Sequence, residues 1–169
     1  PAQDVRLLDE LEGSAKDRAE LAMIVDLERN DLGRLSVPGS VRVETSRRIT
    51  SFPTVHHAWA EVSGTLRTGK GMTDLLRAAF PGGSVTGCPK LRALEVIDSL
   101  EPTRRGIYCG AIGWVLGGNA CLNLAIRTMT IEKRMATLHA GGGIVADSDP
   151  DAEHLETLDK ARGMLEALG

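Results

Sequence analysis

The chain has 169 residues, 42% of them hydrophobic and 25% charged, with a formal net charge of −3. That length suffices for a compact domain burying roughly 70% of its unfolded surface, and the slight acidity, without a basic tract or aromatic platforms, removes the electrostatic case for nucleic acid. No apolar run is long enough to span a bilayer and no signal peptide is visible, so no membrane partner is expected. Cys88, Cys109 and Cys121 are odd in number and lack C-x-x-C spacing, which favours a reduced, cytoplasmic protein over a disulfide scaffold or a zinc site. Pro1 in the first position points to a truncated chain.

Residues 1–13 are polar and acidic with little periodicity, and no element is predicted there. Ser14 to Arg34 reads as a helix with Ser14 as N-cap and Asp17 in the first turn. Leu21, Ala22, Met23, Ile24, Val25 and Leu27 cover most of its circumference, so Glu20 is expected on a buried face, where a carboxylate needs a partner. Val41 to Ile49 and Thr54 to Leu66 alternate and branch like strands, and Met72 to Phe80 and Cys88 to Leu100 look helical around a glycine-rich loop. Ile107 to Leu116, Ala120 to Ile131 and Met135 to Ala140 read as three more strands, with Tyr108 on one face beside Gly110 and Ile112, and Arg127 on one face with Asn123 and Ala125. Short turns such as Gly117-Gly118-Asn119 argue for antiparallel pairing and an α+β domain, an antiparallel sheet with packed helices.

The last helix has Asp149 as N-cap and Pro150 in its first position, and Leu155, Leu158, Ala161, Leu165 and Leu168 form an apolar stripe. Glu153, Glu156 and Lys160 lie off that stripe. By itself such a group is a solvated face with a Glu156–Lys160 pair contributing roughly 0.2–0.5 kcal/mol. The run Gly141-Gly142-Gly143 just before it changes the balance, because glycines let backbone N–H groups approach a ligand closely. Two carboxylates, an ammonium and a glycine loop suit an anionic ligand bridged by a metal. Gly82 to Lys90 spaces glycines as a P-loop does, but Cys88 and Pro89 stand where Lys and Ser or Thr are needed. Gly141 to Ala146 fits a loose dinucleotide fingerprint without the βαβ unit that would support it. An arginine at position 127 could clamp a carboxylate bidentately. His56 and His57 point to opposite sides of a strand, so one at most faces a site.

Taken in order, Lys16 to Glu20 with Met23 to Leu27, Arg29-Asn30-Asp31-Leu32, Val55-His56-His57, Phe80 to Lys90, Ile126-Arg127-Thr128 and the glycine run through Lys160 resemble the chorismate-utilising enzymes. That family includes anthranilate synthase component I, aminodeoxychorismate synthase component I, and the isochorismate and salicylate synthases. The resemblance implies that residues 1–169 form the C-terminal part of one chorismate-binding β-sandwich domain whose N-terminal portion is missing, and that this part alone is inactive. It implies Mg²⁺ held by Glu20 and Glu156 with Asp17 and Glu153 beside them. Gly141, Gly142, Gly143 and Lys160 would contact the ring carboxylate of chorismate, and Tyr108 and Arg127 its enolpyruvyl carboxylate. His57, Ser84 and Thr86 would line the ring, His57 and Thr86 in catalytic roles, with ammonia coming from a glutamine amidotransferase subunit or domain.

Phe80-Pro81-Gly82-Gly83-Ser84 and the triple glycine are more similar to the aminodeoxychorismate synthase branch, which serves p-aminobenzoate and folate synthesis, than to anthranilate synthase. The Pro-Ile-Lys-Gly-Thr motif that separates the two branches would lie before Pro1. Leu21, Trp59-Ala60 and Cys121 to Leu124 depart from the family pattern, which bears on substrate specificity. A non-catalytic binding module is the competing class.

Overall fold

The computed structural model describes residues 2–53, 55–145 and 148–169, and the side chains from residue 4 onward. It comprises two units, Pro1–Ala93 and Leu94–Gly169. The class is α+β, with every strand pair antiparallel among the described residues.

In the first unit, helices α1 (Ala2–Gly13) and α2 (Ala15–Gly33) precede strands β1 (Arg42–Ser51) and β2 (His56–Ser63), then helix α3 (Met72–Ala79) and a short 3-10 turn at Gly83–Val85. Helix α2 begins as its sequence dictates: Ser14 is the N-cap and its Oγ accepts the Asp17 N–H at 3.1 Å. It packs against both strands, α3 and the 3-10 turn. Helix α1 occupies residues for which periodicity gave no element. What fixes it is polar and comes from far along the chain: Arg47 Nη2 donates to the Leu11 carbonyl at 2.6 Å, and His56 Nε2 stands 3.1 Å from Asp4 Oδ1. Thr54 lies outside the described residues.

Helix α4 (Lys90–Leu100) runs from the first unit into the second, which continues with the hairpins β3 (Ala111–Leu116)/β4 (Asn119–Leu124) and β5 (Met129–Glu132)/β6 (Met135–Leu138) and ends in helix α5 (Pro150–Glu166). Gly117 and Gly118 form the two-residue turn of the first hairpin with φ of 56° and 83°, the left-handed backbone such turns require. Ile107 to Cys109 do not join β3. They form a turn closed by Tyr108 N–H to Arg105 O at 3.0 Å and Gly110 N–H to Ile107 O at 2.8 Å, with Cys109 at φ 62°. The expected long strand Ala120–Ile131 likewise breaks in two, because Arg127 adopts φ 48°. Tyr108 and Arg127 therefore sit on bends rather than on strand faces.

Candidate functional site

Helix α5 starts at Asp149, whose carboxylate caps it by accepting the Ala152 N–H at 2.9 Å, with Pro150 in the first turn. The expected apolar stripe is mostly open: Leu155 is 62% exposed, Leu158 49% and Leu165 52%, whereas Ala161 is buried. The helix is rotated so that its acidic edge is the covered one. Glu153 is buried at 7% exposure and accepts a hydrogen bond from Ser148 Oγ at 2.7 Å. One turn on, Glu156 Oε1 pairs with Lys160 Nζ at 2.6 Å.

The glycine run passes directly over this edge. A Cβ placed on Gly142 would lie 3.1 Å from Glu153 Oε2, 3.7 Å from Lys160 Nζ and 4.0 Å from Glu156 Oε1. A Cβ on Gly141 would come within 3.1 Å of Tyr108 Oη. Only glycine keeps that surface open. Five expected site residues, Tyr108, Gly142, Glu153, Glu156 and Lys160, thus converge in the second unit, with Gly141 and Gly143 on either side of Gly142. Arg127 is exposed on its bend. Tyr108 is stacked on His139, ring centroids 5.5 Å apart and planes 12° apart, with the Arg105 guanidinium 5.7 Å from its centroid. Burial, helped by the neighbouring Cys109 thiol, raises the Tyr108 phenol above its ordinary value. Burial also raises the Cys109 thiol.

In the first unit, Asp17 and Glu20 lie one turn apart on α2, both partly buried, as Leu21, Ile24 and Leu27 are, and Glu20 is not the most deeply buried carboxylate of the helix. That position belongs to Asp31, 4% exposed, whose two oxygens take Lys90 Nζ at 3.0 and 2.9 Å while Oδ2 also accepts the Gly83 N–H at 3.3 Å. Lys90 Nζ donates as well to the Ala78 carbonyl at 3.3 Å. The pair ties the Gly82–Thr86 loop to α2. Within that loop Thr86 Oγ1 donates to the Gly82 carbonyl at 2.8 Å, and Ser84 hydrogen-bonds to Glu28. Glu28 is raised by burial first and then by the charge of Asp31, against the opposing effects of Ser84 and Lys90. His57 packs edge-on against Phe52 at 5.9 Å. His56 is engaged by Ser51 Oγ at 2.8 Å as well as by Asp4.

The family of chorismate binding enzymes matches residues 1–166. The chain belongs to that family. It is 50% identical to anthranilate synthase component 1 of Streptomyces coelicolor over 99% of this chain and 33% of that protein. It is 49% identical to aminodeoxychorismate synthase component 1 of Salmonella typhimurium over 99% of this chain and 37% of that protein. Among solved structures, anthranilate synthase component I from Streptococcus pneumoniae superposes with a TM-score of 0.80 at 39% identity, covering 96% of this chain and 38% of the other. A Bacillus anthracis protein named as a 2,3-dihydroxybenzoate-specific isochorismate synthase gives a TM-score of 0.86 at 32% identity over 100% of this chain and 45% of the other. The chain spans about a third of the length of the curated relatives it matches. Those relatives divide between two activities at equal identity.

Among the described residues no three or more His, Cys, Asp or Glu side chains are gathered to hold a metal. The donors of this family member nonetheless fit Mg²⁺, which takes hard oxygen ligands, commonly one or two carboxylates, and keeps several waters. Glu153 and Glu156 are such a pair, on adjacent turns of α5 beside an uncovered glycine backbone. Asp31, Lys90, Glu28 and His139 are the structurally notable residues that pattern reading missed. Asp31 and Lys90 were within reach of it, since each lies in a segment that carries the family resemblance. No helix among the described residues is long and apolar enough to cross a membrane.

Proposed function

We propose that the chain is the chorismate-binding part of an aminodeoxychorismate synthase component I, which replaces the C4 hydroxyl of chorismate by an amino group using ammonia from a glutamine amidotransferase, in the cytoplasm. The observation that supports this reading best is the convergence of Gly142 with Glu153, Glu156 and Lys160, with Tyr108 Oη beside Gly141. A ring carboxylate laid on Gly141–Gly143 would meet backbone N–H groups and the Lys160 ammonium. Glu153 and Glu156 are residues that would hold Mg²⁺, the family resemblance adding Asp17 and Glu20, and the bound cation would neutralise the ring carboxylate and so ease departure of the C4 hydroxyl.

Tyr108, a neutral phenol, donates to the enolpyruvyl carboxylate, and Arg127 supplies the opposing charge. His57 and Thr86 are assigned to proton transfer at the ring, where the departing hydroxyl must leave as water and the entering ammonia must lose a proton. Ser84, anchored by Glu28, lines the same ring. The aminodeoxychorismate branch is preferred on Phe80 to Ser84 and the triple glycine. The 50% identity to the Streptomyces coelicolor enzyme favours anthranilate synthase as the second reading.

The test is a product assay of the full-length protein with chorismate, Mg²⁺ and ammonium, with and without a lyase that converts aminodeoxychorismate to p-aminobenzoate. Lyase-dependent p-aminobenzoate is the expected result. Anthranilate would move the protein to the second reading, isochorismate or salicylate to water addition, and no Mg²⁺-dependent turnover would leave a binding module.

A further inference from the structure

The second unit holds a cavity of about 700 Å³ between the Arg104–Tyr108 turn and the β5/β6 hairpin, with Tyr108 and His139 in its lining and none of Gly141, Gly142 and Gly143. Its volume is that of a small-molecule site rather than of a single ion. Arg104, Arg105, Lys133 and Arg134 line it, opposed by one carboxylate, Glu132. Arg105 is engaged with Glu101, Nη2 to Oε1 at 2.6 Å, and stacks on Tyr108, which makes it part of the wall. Thr128 and Thr130 also line it, their hydroxyls donating to the Ile126 carbonyl at 3.0 Å and the Thr137 carbonyl at 3.3 Å, while Thr137 adds a hydroxyl and Ile107 and Met135 add apolar surface.

The hairpin turn itself is unusual. Lys133 and Arg134 are the two residues between the paired Glu132 and Met135, and Lys133 holds φ 56°. Left-handed turns of this length ordinarily take Asn-Gly or Gly-Gly, and the neighbouring β3/β4 hairpin does use Gly117-Gly118. A lysine there sustains a conformational cost, and adjacent cations at the tip repel one another. An anion between them offsets the repulsion.

We propose that this cavity is a second binding site, for a small organic molecule carrying two or more phosphate or carboxylate groups. It is separate from the glycine-loop site and shares only Tyr108 with it. Forked arginines suit such groups bidentately, and the Thr137 hydroxyl adds a further donor.

With isotope-labelled tyrosine in the full-length protein, the ring signal that disappears in Tyr108→Phe reports on the cavity wall. Titration with inorganic pyrophosphate and, separately, with citrate at constant ionic strength is expected to move that signal saturably. The tighter of the two names the group chemistry. Lys133→Asn with Arg134→Ala, of which asparagine tolerates the left-handed backbone, should weaken binding at least tenfold, and Arg104→Ala should weaken it independently. Lys160→Met should change it less than twofold. A drift without saturation, no effect of the Lys133/Arg134 variant, or loss with Lys160→Met alone would overturn the proposal. Failure of chorismate turnover would leave it standing, since neither probe nor readout uses that reaction.

Discussion

Asp31 shows how much one buried charge can decide. Its partner Lys90 has a side chain only 18% exposed, so Asp31→Ala strands an ammonium in the interior and releases the Gly83 N–H together. Breaking such a pair from one side costs about 3–5 kcal/mol. The double variant Asp31→Ala/Lys90→Met should lose clearly less than Asp31→Ala alone, which urea denaturation of the four-member cycle would measure. Glu28 works in the opposite sense. Its carboxyl is raised in the folded state, so its protonated form favours folding, and that contribution is present below the ordinary carboxylate value and lost as pH rises through the raised one. Glu28→Gln should therefore melt above the parent at neutral pH, with the gain vanishing in acid. Equal melting shifts at both would refute the assignment. These residues were hard to read in advance because hydropathy placed Glu20 on the apolar side of α2, whereas the helix is covered near its C-terminal end, at Asp31, where the Gly82–Thr86 loop docks. Burial at a single position depends on what arrives from elsewhere in the chain, which local patterning does not contain.

Helix α5 and its glycine lead-in were legible in type and in boundary, because Ser, Asp and Pro caps act within one turn and leave their mark in the sequence. Asp149→Ala should cost about 1 kcal/mol of stability through the lost N-cap, measurable by thermal melts. Gly142→Ala should barely move stability, since the neighbouring carboxylate can give way, yet weaken chorismate binding about tenfold by pushing Glu153 Oε2 from its place 3.1 Å from the new methyl. Titration of the full-length protein separates the two effects, and unchanged affinity would show that the glycine edge is not where the ligand lies. Hydropathy alone does not tell which side of α5 is covered, for Ala161 of the apolar stripe is buried together with Glu153. Leu155, Leu158 and Leu165 form the better apolar stripe, but Glu153 is buried, held by Ser148 Oγ from the preceding loop. The strand breaks at Cys109 and Arg127 were also unreadable. Both are left-handed without being glycine, and they flank a long-range pairing that local patterning does not contain, Cys109 N–H to Ala125 O at 2.9 Å and Ala125 N–H to Gly110 O at 2.8 Å.

At the scale of the molecule, the number of large apolar side chains left in water is what calls for an explanation. In the β3/β4 hairpin alone Ile112 is 51% exposed, Trp114 54%, Val115 54% and Leu116 75%, and among the described residues no large side chain is fully buried. A soluble monomer rarely presents contiguous apolar surface of this kind without a partner. Alternation places Ile112, Trp114 and Leu116 on one face of β3, so they can be covered by a single apposed layer. The 169-residue chain in isolation is therefore expected to self-associate and to bind an apolar dye. Trp114→Thr with Leu116→Thr should reduce both, because the two keep strand propensity while removing most of the exposed apolar area of that face. Size-exclusion chromatography with light scattering across a concentration series, paired with dye fluorescence, decides it. A concentration-independent monomer that leaves the dye dark would mean the hairpin tolerates water. In a longer protein carrying this sequence, the same face is expected to be covered, so Trp114 should resist acrylamide quenching there and yield to it in the short chain. Quenching equal in both would place the covering layer somewhere other than on β3.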